Sequence, residues 1–378
     1  MTLTQNIRLF AAAAGLSALA LGGAAAHSPS HGQAAPLSES RLDSLPTELA
    51  GFVFTADEAG NSISRIDLSD GSVTTVSVPI APHNVDLSAD GRWLLAVGDP
   101  AGGDHDHDHG SGNGHDHGDG SAHGGETEGQ MVILDPRDIA AGPVAAFPAG
   151  DHPAHVVTDA TGAQAFVTVA GQDAVAVIDI ATGDRLALIE TGAYPHGLRL
   201  SPDGREIYVA NVQDGSVSVI DPEQLVELAR IPVGPTPVQV EFLPDGESVF
   251  VSLRDANAVS RIDTTSREVT ARFDVGEWPI QLGAARDGAR LLVANEGSAE
   301  RPSETVSIID LESGAEARTI RTGAGPHGVA ISPAGAWAFV TNIHENSVSM
   351  IDLSSDEIVA TFAVGAGPNG ITLFGLDD

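Results

Sequence analysis

A short strand-like phrase, in which polar and apolar positions alternate, occurs seven times along this chain. The copies stand at residues 61–67 (NSISRID), 129–135 (GQMVILD), 173–179 (DAVAVID), 215–221 (GSVSVID), 257–263 (NAVSRID), 304–310 (ETVSIID) and 346–352 (NSVSMID). Apolar positions that recur with a period of two predict β-strands. The chain is therefore predicted to be built from many short strands of one repeating kind.

A second apolar phrase begins with proline and precedes six of these copies. The leading residues are Pro82, Pro153, Pro195, Pro237, Pro279 and Pro326, and a seventh, Pro368, lies near the end of the chain. Four of the six steps between these prolines are 42 residues long. A fixed period near 40 residues with several short strands per unit is typical of a β-propeller.

One unit shows how four strands arise. Pro195 begins a first strand, and the Ser-Pro-Asp-Gly sequence at 201–204 predicts a hairpin turn because Asp-Gly tolerates positive φ. Two further strands follow at 206–210 and 216–221, and residues 228–233 complete the blade. The first unit lacks a proline-led strand, and the segment that begins at Pro368 supplies it. The prediction is an all-β, seven-bladed β-propeller over residues 50–378, with four antiparallel strands per blade and a ring closed by the C-terminal strand.

The repeat also carries a family resemblance. Residues 206–221 (EIYVANVQDGSVSVID) and 337–352 (WAFVTNIHENSVSMID) resemble the YVTN-type seven-bladed β-propeller repeat. The resemblance covers residues 51–375 and implies the fold. It implies little about activity, because propellers host many unrelated functions.

The first 26 residues are typical of a secretory signal peptide. Arg8 is followed by an apolar run over residues 9–21 and by three alanines that end at Ala26. We expect cleavage after Ala26 and a periplasmic or secreted protein, with a flexible, His-containing tail at 27–49. The chain has no cysteine, which excludes disulfides, c-type haem attachment and thiolate metal ligands.

The net charge is strongly negative. The chain has 52 acidic and 18 basic residues, for a formal charge of −34. This balance argues against nucleic acid and anionic membrane surfaces as partners. We expect no membrane insertion and a monomer.

Residues 99–129 form a predicted disordered insertion between the second and third strands of blade 2. Its Gly, Asp, Ser and His content cannot form a packed core. Its histidines are His105, His107, His109, His115, His117 and His123. Imidazoles that alternate with carboxylates on a flexible chain suit Zn(II), Ni(II) and Cu(II). We expect this insertion to bind metal; the alternative is a neutral polar linker.

A second group of histidines lies beside the leading prolines. His83, His196 and His327 directly follow their prolines, whereas His152 and His155 flank Pro153. The proline-led strands should be innermost, so these residues should lie at the mouth of the central channel, on the same face as the insertion. Three imidazoles there could hold one metal ion. The alternative is that they hydrogen-bond to neighbouring backbone and bind no metal.

The leader, the repeat and the His-rich run are together similar to the periplasmic zinc chaperones that serve zinc ABC transporters. The hypothesis is a zinc metallochaperone that collects ions with the insertion, holds one at the channel mouth and transfers it to a transporter's solute-binding protein. Ni(II) and Cu(II) suit the same ligands, and affinity should fall below a pH of about 6.5 as imidazoles protonate. A metal-dependent, lactonase-like hydrolase and a metal-independent interaction scaffold are the alternatives.

Overall fold

The computed structural model describes residues 40–42, 49–102, 128–313 and 318–376. All of them lie in the second of two compact units, Gln33–Asp378. Within this part of the chain the strands form seven antiparallel sheets, and each sheet is one blade. No helix among the described residues is long and apolar enough to cross a membrane.

Each blade has its first strand innermost. Blade 1 contains β29 (Pro368–Phe374), β2 (Phe52–Asp57), β3 (Ser62–Asp67) and β4 (Val73–Ser77). Blade 2 contains β5 (Ile80–Leu87), β6 (Leu94–Pro100), β7 (Gly129–Leu134) and β8 (Ala145–Gly150). Blade 3 contains β9 (Pro153–Thr158), β10 (Gln164–Val169), β11 (Ala174–Asp179) and β12 (Arg185–Glu190). Blade 4 contains β13 (Pro195–Leu200), β14 (Ile207–Asn211), β15 (Ser216–Asp221) and β16 (Val226–Pro232).

The remaining blades follow the same order. Blade 5 contains β17 (Pro237–Phe242), β18 (Ser248–Leu253), β19 (Ala258–Asp263) and β20 (Glu268–Asp274). Blade 6 contains β21 (Pro279–Ala284), β22 (Arg290–Ser298), β23 (Arg301–Asp310) and β24 (Arg318–Arg321). Blade 7 contains β25 (Pro326–Ile331), β26 (Trp337–Asn342), β27 (Ser347–Asp352), β28 (Glu357–Ala363) and the short β1 (Arg41–Leu42). Short 3₁₀ turns occupy Ile139–Ala141, Ala170–Gln172 and Arg254–Ala256.

The ring closes through the C-terminal strand. β29 pairs with β2, with Phe52 opposite Phe374 and Thr55 opposite Ile371. The first strand of every blade contacts the first strands of both neighbours, from β29 through β5, β9, β13, β17, β21 and β25 back to β29. The predicted seven-bladed propeller and its mode of closure are therefore confirmed.

The hydrophobic core lies between the blades. Leu95 and Met131 of blade 2, for example, pack with Val156, Val167 and Ala176 of blade 3 in one buried cluster. Because each sheet is covered by a neighbour on both faces, small Ser and Ala side chains alternate with Val and Ile in the third strands.

Two boundaries differ from those predicted. Arg41 and Leu42 fall in the segment assigned to the N-terminal tail, yet they pair with Thr361 and Ala360 at the outer edge of blade 7. The insertion also begins later than residue 99, because β5 starts before Pro82 and so offers backbone partners to Asp99 and Pro100 in β6. At the other end, Gly129 already belongs to β7.

In four blades a buried polar residue of the second strand pairs with the leading proline. Asn211, Asn295 and Asn342 each donate from Nδ2 to two hydroxyl groups of the third strand. Blade 1 has Asp57 at this place, where its carboxylate accepts hydrogen bonds from Thr55, Ser62 and Ser64. Burial of this carboxyl raises its pKa to about 7, although the hydroxyl donors oppose the shift.

Candidate metal centre

Three histidines from three consecutive blades converge at one end of the channel. His83 lies on β5, His155 on β9 and His196 on β13. The pairing register of each of these strands shifts next to its histidine. A β-bulge re-aims side chains, so residues one or two positions after the leading proline can both turn toward the channel. His155, offset by one position, therefore joins the other two.

The ligand atoms of this group are close enough to share one ion. One nitrogen from each of His83, His155 and His196 lies within 4.8 Å of the other two. Nε2 of His83 is 3.1 Å from Nε2 of His196. Two nitrogens bound to a single tetrahedral zinc at about 2.0–2.1 Å lie about 3.3 Å apart. The residues therefore fit a zinc ion with little movement.

The hydrogen bonds of the outer ring nitrogens fix the direction in which two of these imidazoles offer lone pairs. Nδ1 of His83 is 3.2 Å from the Glu58 carboxylate, and Nδ1 of His196 is 3.2 Å from the carbonyl oxygen of Val238. Both partners can only accept, which favours a proton on each Nδ1. The Asn369 amide nitrogen, also 3.2 Å from His83 Nδ1, already donates to Glu58. In the neutral rings the two Nε2 atoms are then acceptors that face each other, an arrangement that needs a proton or a metal cation between them.

His155 contributes a neutral, buried imidazole. Only 1% of its surface is exposed, and its Nε2 has no hydrogen-bond partner among the described residues. Burial holds the pKa of His155 well below its usual range, and the nearby His196 and His83 lower it further. The neutral ring keeps one lone pair. The Gln239 amide nitrogen lies 3.5 Å from Nδ1, so zinc at Nε2 requires the ring proton to move to Nδ1 and this weak contact to break. A buried unsatisfied nitrogen costs about 1–3 kcal/mol, a cost that a bound cation would remove.

Glu58 is the carboxylate partner of this group. It lies in the turn after β2 and also accepts a hydrogen bond of 2.7 Å from the Asn369 amide. Burial disfavours the charged form of His83, but Glu58 outweighs this and raises the pKa of His83. A carboxylate behind a metal-binding imidazole fixes the tautomer of the ring and increases its basicity.

Replacement of Glu58 by glutamine is expected to lower zinc affinity about 10-fold, the lower end of the effect usual for such partners. The amide keeps the shape of the side chain but removes the charge that favours Nδ1–H on His83. Competition with a chromophoric chelator measures the change. Glu277, which is exposed on blade 6, gives the matched control, because Glu277→Gln should leave affinity unchanged. Equal affinity for both variants would contradict a role for Glu58.

His327, predicted at a position equivalent to His83 and His196, is not part of the group of three. It is fully buried on β25, and its Nε2 lies 3.8 Å from the Glu296 carboxylate. Burial raises the pKa of Glu296 to about 8. Blade 1, with Asn369 at the corresponding position, separates blade 7 from blade 2. An equivalent position along the strand is therefore not enough to bring a histidine into the group of three. The histidines must also lie on neighbouring blades.

His152 faces outward. Its side chain is 63% exposed, and Nδ1 is 2.7 Å from Asp99 Oδ2. Asp99 lies at the end of β6, where the insertion begins, so this contact places the start of the insertion on the same face as the three histidines. The insertion histidines, His105, His107, His109, His115, His117 and His123, lie outside the described residues.

Sequence reasoning missed Glu58 and Asn369 as partners of the site. Both are on the predicted face: Glu58 follows the second strand of blade 1, and Asn369 directly follows Pro368. The signal that could have found Glu58 is its place in the strand-two-to-three turn, beside blade 2. A lone glutamate in a chain with 52 acidic residues gave no other reason to select it.

Comparison with known proteins supports the propeller repeat family. A family model described as YNCE-like beta-propeller matches residues 145–290. No curated protein matches the sequence. The family match therefore covers blades 3 to 5, the last strand of blade 2 and the first strand of blade 6.

Solved structures share the fold at low sequence identity. Hydrazine synthase from Kuenenia stuttgartiensis is 20% identical, with a TM-score of 0.64 over 80% of this chain and 97% of that one. The periplasmic gluconolactonase PpgL of Pseudomonas aeruginosa is 19% identical, with a TM-score of 0.64 over 86% and 99%. A functionally unknown protein from Desulfotomaculum acetoxidans is 13% identical, with a TM-score of 0.66 over 87% and 100%. At these identities the similarity shows the fold alone.

Proposed function

We propose that this protein is an extracytoplasmic zinc metallochaperone that holds one zinc ion between His83, His155 and His196 and transfers it to a partner protein. The zinc ion is cargo and not a resident cofactor. The observation that carries the proposal is the approach of the two Nε2 atoms of His83 and His196 to 3.1 Å, with the unpartnered Nε2 of the buried His155 beside them.

The ligand set favours zinc. Imidazole nitrogens suit Zn(II), and three protein ligands leave a fourth position open. Copper(I) is handled by soft thiolate and thioether ligands; the chain has no cysteine, and its methionines after the leader are Met131 and Met350, both fully buried in the blade cores. Ni(II) and Cu(II) share the imidazole preference and are the competing metals.

The position of the site favours transfer over permanent storage. His83 is partly exposed, whereas His155 and His196 lie deeper, so an incoming ligand can approach the ion from the channel mouth. The His- and Asp-rich insertion starts on the same face and would gather dilute cations near the site. A solute-binding protein of a metal ABC transporter that docks on this face would offer a replacement ligand in the open position.

Direct transfer is the test of this function. Zinc-loaded protein should pass its ion to the metal-free solute-binding protein of a zinc ABC transporter from the same organism faster than it releases zinc to an excess of chelator, because docking lets the acceptor's ligand enter before the ion leaves. Stopped-flow measurement of both rates checks this. Equal rates would contradict direct transfer and indicate that the protein is a zinc buffer or store. A variant without residues 104–123 shows how much of the zinc binding belongs to the insertion and how much to the three-histidine site.

Hydrolysis of a lactone is the second candidate function. A zinc ion with three protein ligands and one open position is also the usual arrangement of catalytic zinc, where the bound water is activated. The zinc-loaded protein can be screened against sugar lactones in the same preparation. Turnover that is lost together with zinc would favour this hydrolase over the chaperone.

A further inference from the structure

The other end of the central channel holds a cavity that the zinc proposal does not use. Its volume is about 270 Å³, at the small end of the range for ligand sites. It is lined by residues near the carboxyl ends of the innermost strands. The residue four positions after the leading proline lines this cavity in six blades: Thr372, Asp86, Arg199, Glu241, Gly283 and Ala330.

One wall of this distal cavity carries three ionisable side chains that interact with each other. Nε of Arg199 is 3.1 Å from Glu241 Oε2. Asp86 accepts hydrogen bonds from the backbone nitrogen of Leu87 at 2.8 Å and from the Thr372 hydroxyl at 3.2 Å. When both carboxyls are ionised, two negative charges face one positive charge, so the wall has a net charge of −1.

The positive charge of Arg199 does not neutralise the two carboxylates of this wall. Burial raises the pKa of both Asp86 and Glu241, and the Arg199 guanidinium offsets only part of the effect. The two carboxylates also disfavour each other's ionisation. A single additional positive charge in the cavity would therefore be stabilised by both carboxylates.

The opposite wall carries no charged side chain and has unusually small side chains at its centre, although most of the accessible cavity lining is polar. Gly283 and Ala330 occupy the position that bears a charged residue in blades 2, 4 and 5, and Val329, Ile331 and Ile371 surround them. The small residues leave the space, and the aliphatic ones provide a surface for a short hydrocarbon chain. The cavity thus offers charge to one end of a ligand, and space with a small apolar surface to the other.

We propose that the distal cavity is a second binding site, for a small organic monocation such as a primary aliphatic amine. Its ammonium group would donate hydrogen bonds to Asp86 and Glu241, and its alkyl chain would lie against Ala330 and Ile331. A metal ion is a poorer match, because Arg199 occupies the same wall and repels a divalent charge more strongly than a single one.

This site is separate from the histidine group. Asp86 lies three positions after His83 on β5, and Arg199 lies three positions after His196 on β13, a distance of about 10 Å at about 3.3 Å per residue. The two sites open at opposite ends of the channel, since the leading prolines mark one end and the turns after the first strands mark the other. Binding of an amine at the distal cavity therefore does not depend on the proposed zinc function.

The test is calorimetric titration of the intact protein with n-butylammonium chloride. We expect saturable binding of one ion per chain, with 1-butanol and butyrate at least about 10-fold weaker because they lack the positive charge. Asp86→Asn should weaken butylammonium binding at least about 10-fold. Asp287→Asn, which removes an exposed carboxylate from the same face, should leave it unchanged.

A second variant tests the proposed site without changing the charged side chains. Ala330→Leu fills the apolar side without changing any charge and should weaken butylammonium binding while circular dichroism shows an intact fold. Absence of saturable binding, equal binding of 1-butanol, or equal affinity in Asp86→Asn and Asp287→Asn would each overturn the proposal. Binding of calcium or zinc at this cavity in preference to the amine would overturn the assigned ligand class.

Discussion

Replacement of His155 by glutamine is expected to reduce zinc affinity at least about 100-fold, or about 2.7 kcal/mol. Loss of a direct ligand should cost more than loss of an outer partner, which is usually 10- to 100-fold. His155 is the deepest neutral imidazole of the three, and glutamine keeps the polarity of the side chain while it removes the ring nitrogens. Zinc titration against a competing chelator gives the affinity of each variant.

His327→Gln is the matched control for this experiment. The sequence places His327 directly after its proline, as it does His83 and His196, whereas His155 is offset. The structure reverses this ranking, because His155 lies in the group of three and His327 lies beside Glu296. Zinc affinity in His327→Gln should stay within a few-fold of the wild-type value. A large loss in His327→Gln with no loss in His155→Gln would refute the site assignment.

Replacement of Asp57 by asparagine is expected to stabilise the fold at and above neutral pH by up to about 4 kcal/mol. Asp57 is fully buried, and its pKa is raised to about 7, whereas an unfolded aspartate titrates near about 3.9. Each unit of difference corresponds to about 1.36 kcal/mol, which over about three units sets this upper value. Three other blades already have asparagine at this place, so the amide fits the surrounding hydroxyls.

The sign of the pH dependence follows from proton binding. Between a pH of about 4 and about 7 the folded protein binds one proton more at Asp57 than the unfolded chain does, so stability falls as pH rises through this range. Asp57→Asn removes that slope. The two proteins should therefore have similar stability near a pH of about 4 and differ most above a pH of about 7. Urea denaturation of the metal-free proteins across this range measures the difference.

Asn342→Asp supplies the reverse control. Asn342 is fully buried in blade 7, donates to Ser347 and Ser349, and accepts from the backbone nitrogen of Gly323. Asp57 has hydroxyl partners of the same kind, and the backbone nitrogen of Gly365 donates to one of them, Ser64 Oγ. Asn342→Asp should therefore become less stable as pH rises, in addition to the decrease that Asp57 already causes. Asp57→Asn should show no such decrease. Parallel pH profiles for all three proteins would contradict the assignment to this buried carboxyl.

Much of the fold was predictable because its signals are local. The leading prolines begin the innermost strands as predicted in five blades, Pro82 lies two residues into β5, and Pro368 begins the strand that completes blade 1. The tertiary pairing of Ile80 and Ala81 with Pro100 and Asp99 was not predictable, since residue 99 begins a stretch rich in Gly, Asp and His. Likewise, nothing in the composition of the tail indicates that Arg41 and Leu42 extend blade 7.

The candidate site was predictable only as a region. The alternation of strands places every proline-flanking histidine at one end of the channel, and this much follows from the order of elements. The choice of His155 over His327 depends on which blades are neighbours in the ring, because the pairing register shifts after the leading proline in both β9 and β25. Glu58 joins the site from a turn of blade 1, across a contact with β5 of blade 2.

The sequence by itself determined the number of blades, the strand order within each blade and the end of the channel at which the histidines stand. Those properties depend on the period of apolar residues and on turn chemistry, which act between residues close in the chain. Tertiary structure alone decided which imidazoles converge, which carboxylate orients them and where the opposite end leaves a charged cavity. Distances of a few ångströms between side chains of different blades are set by how the blades pack around the ring, which no single repeat encodes.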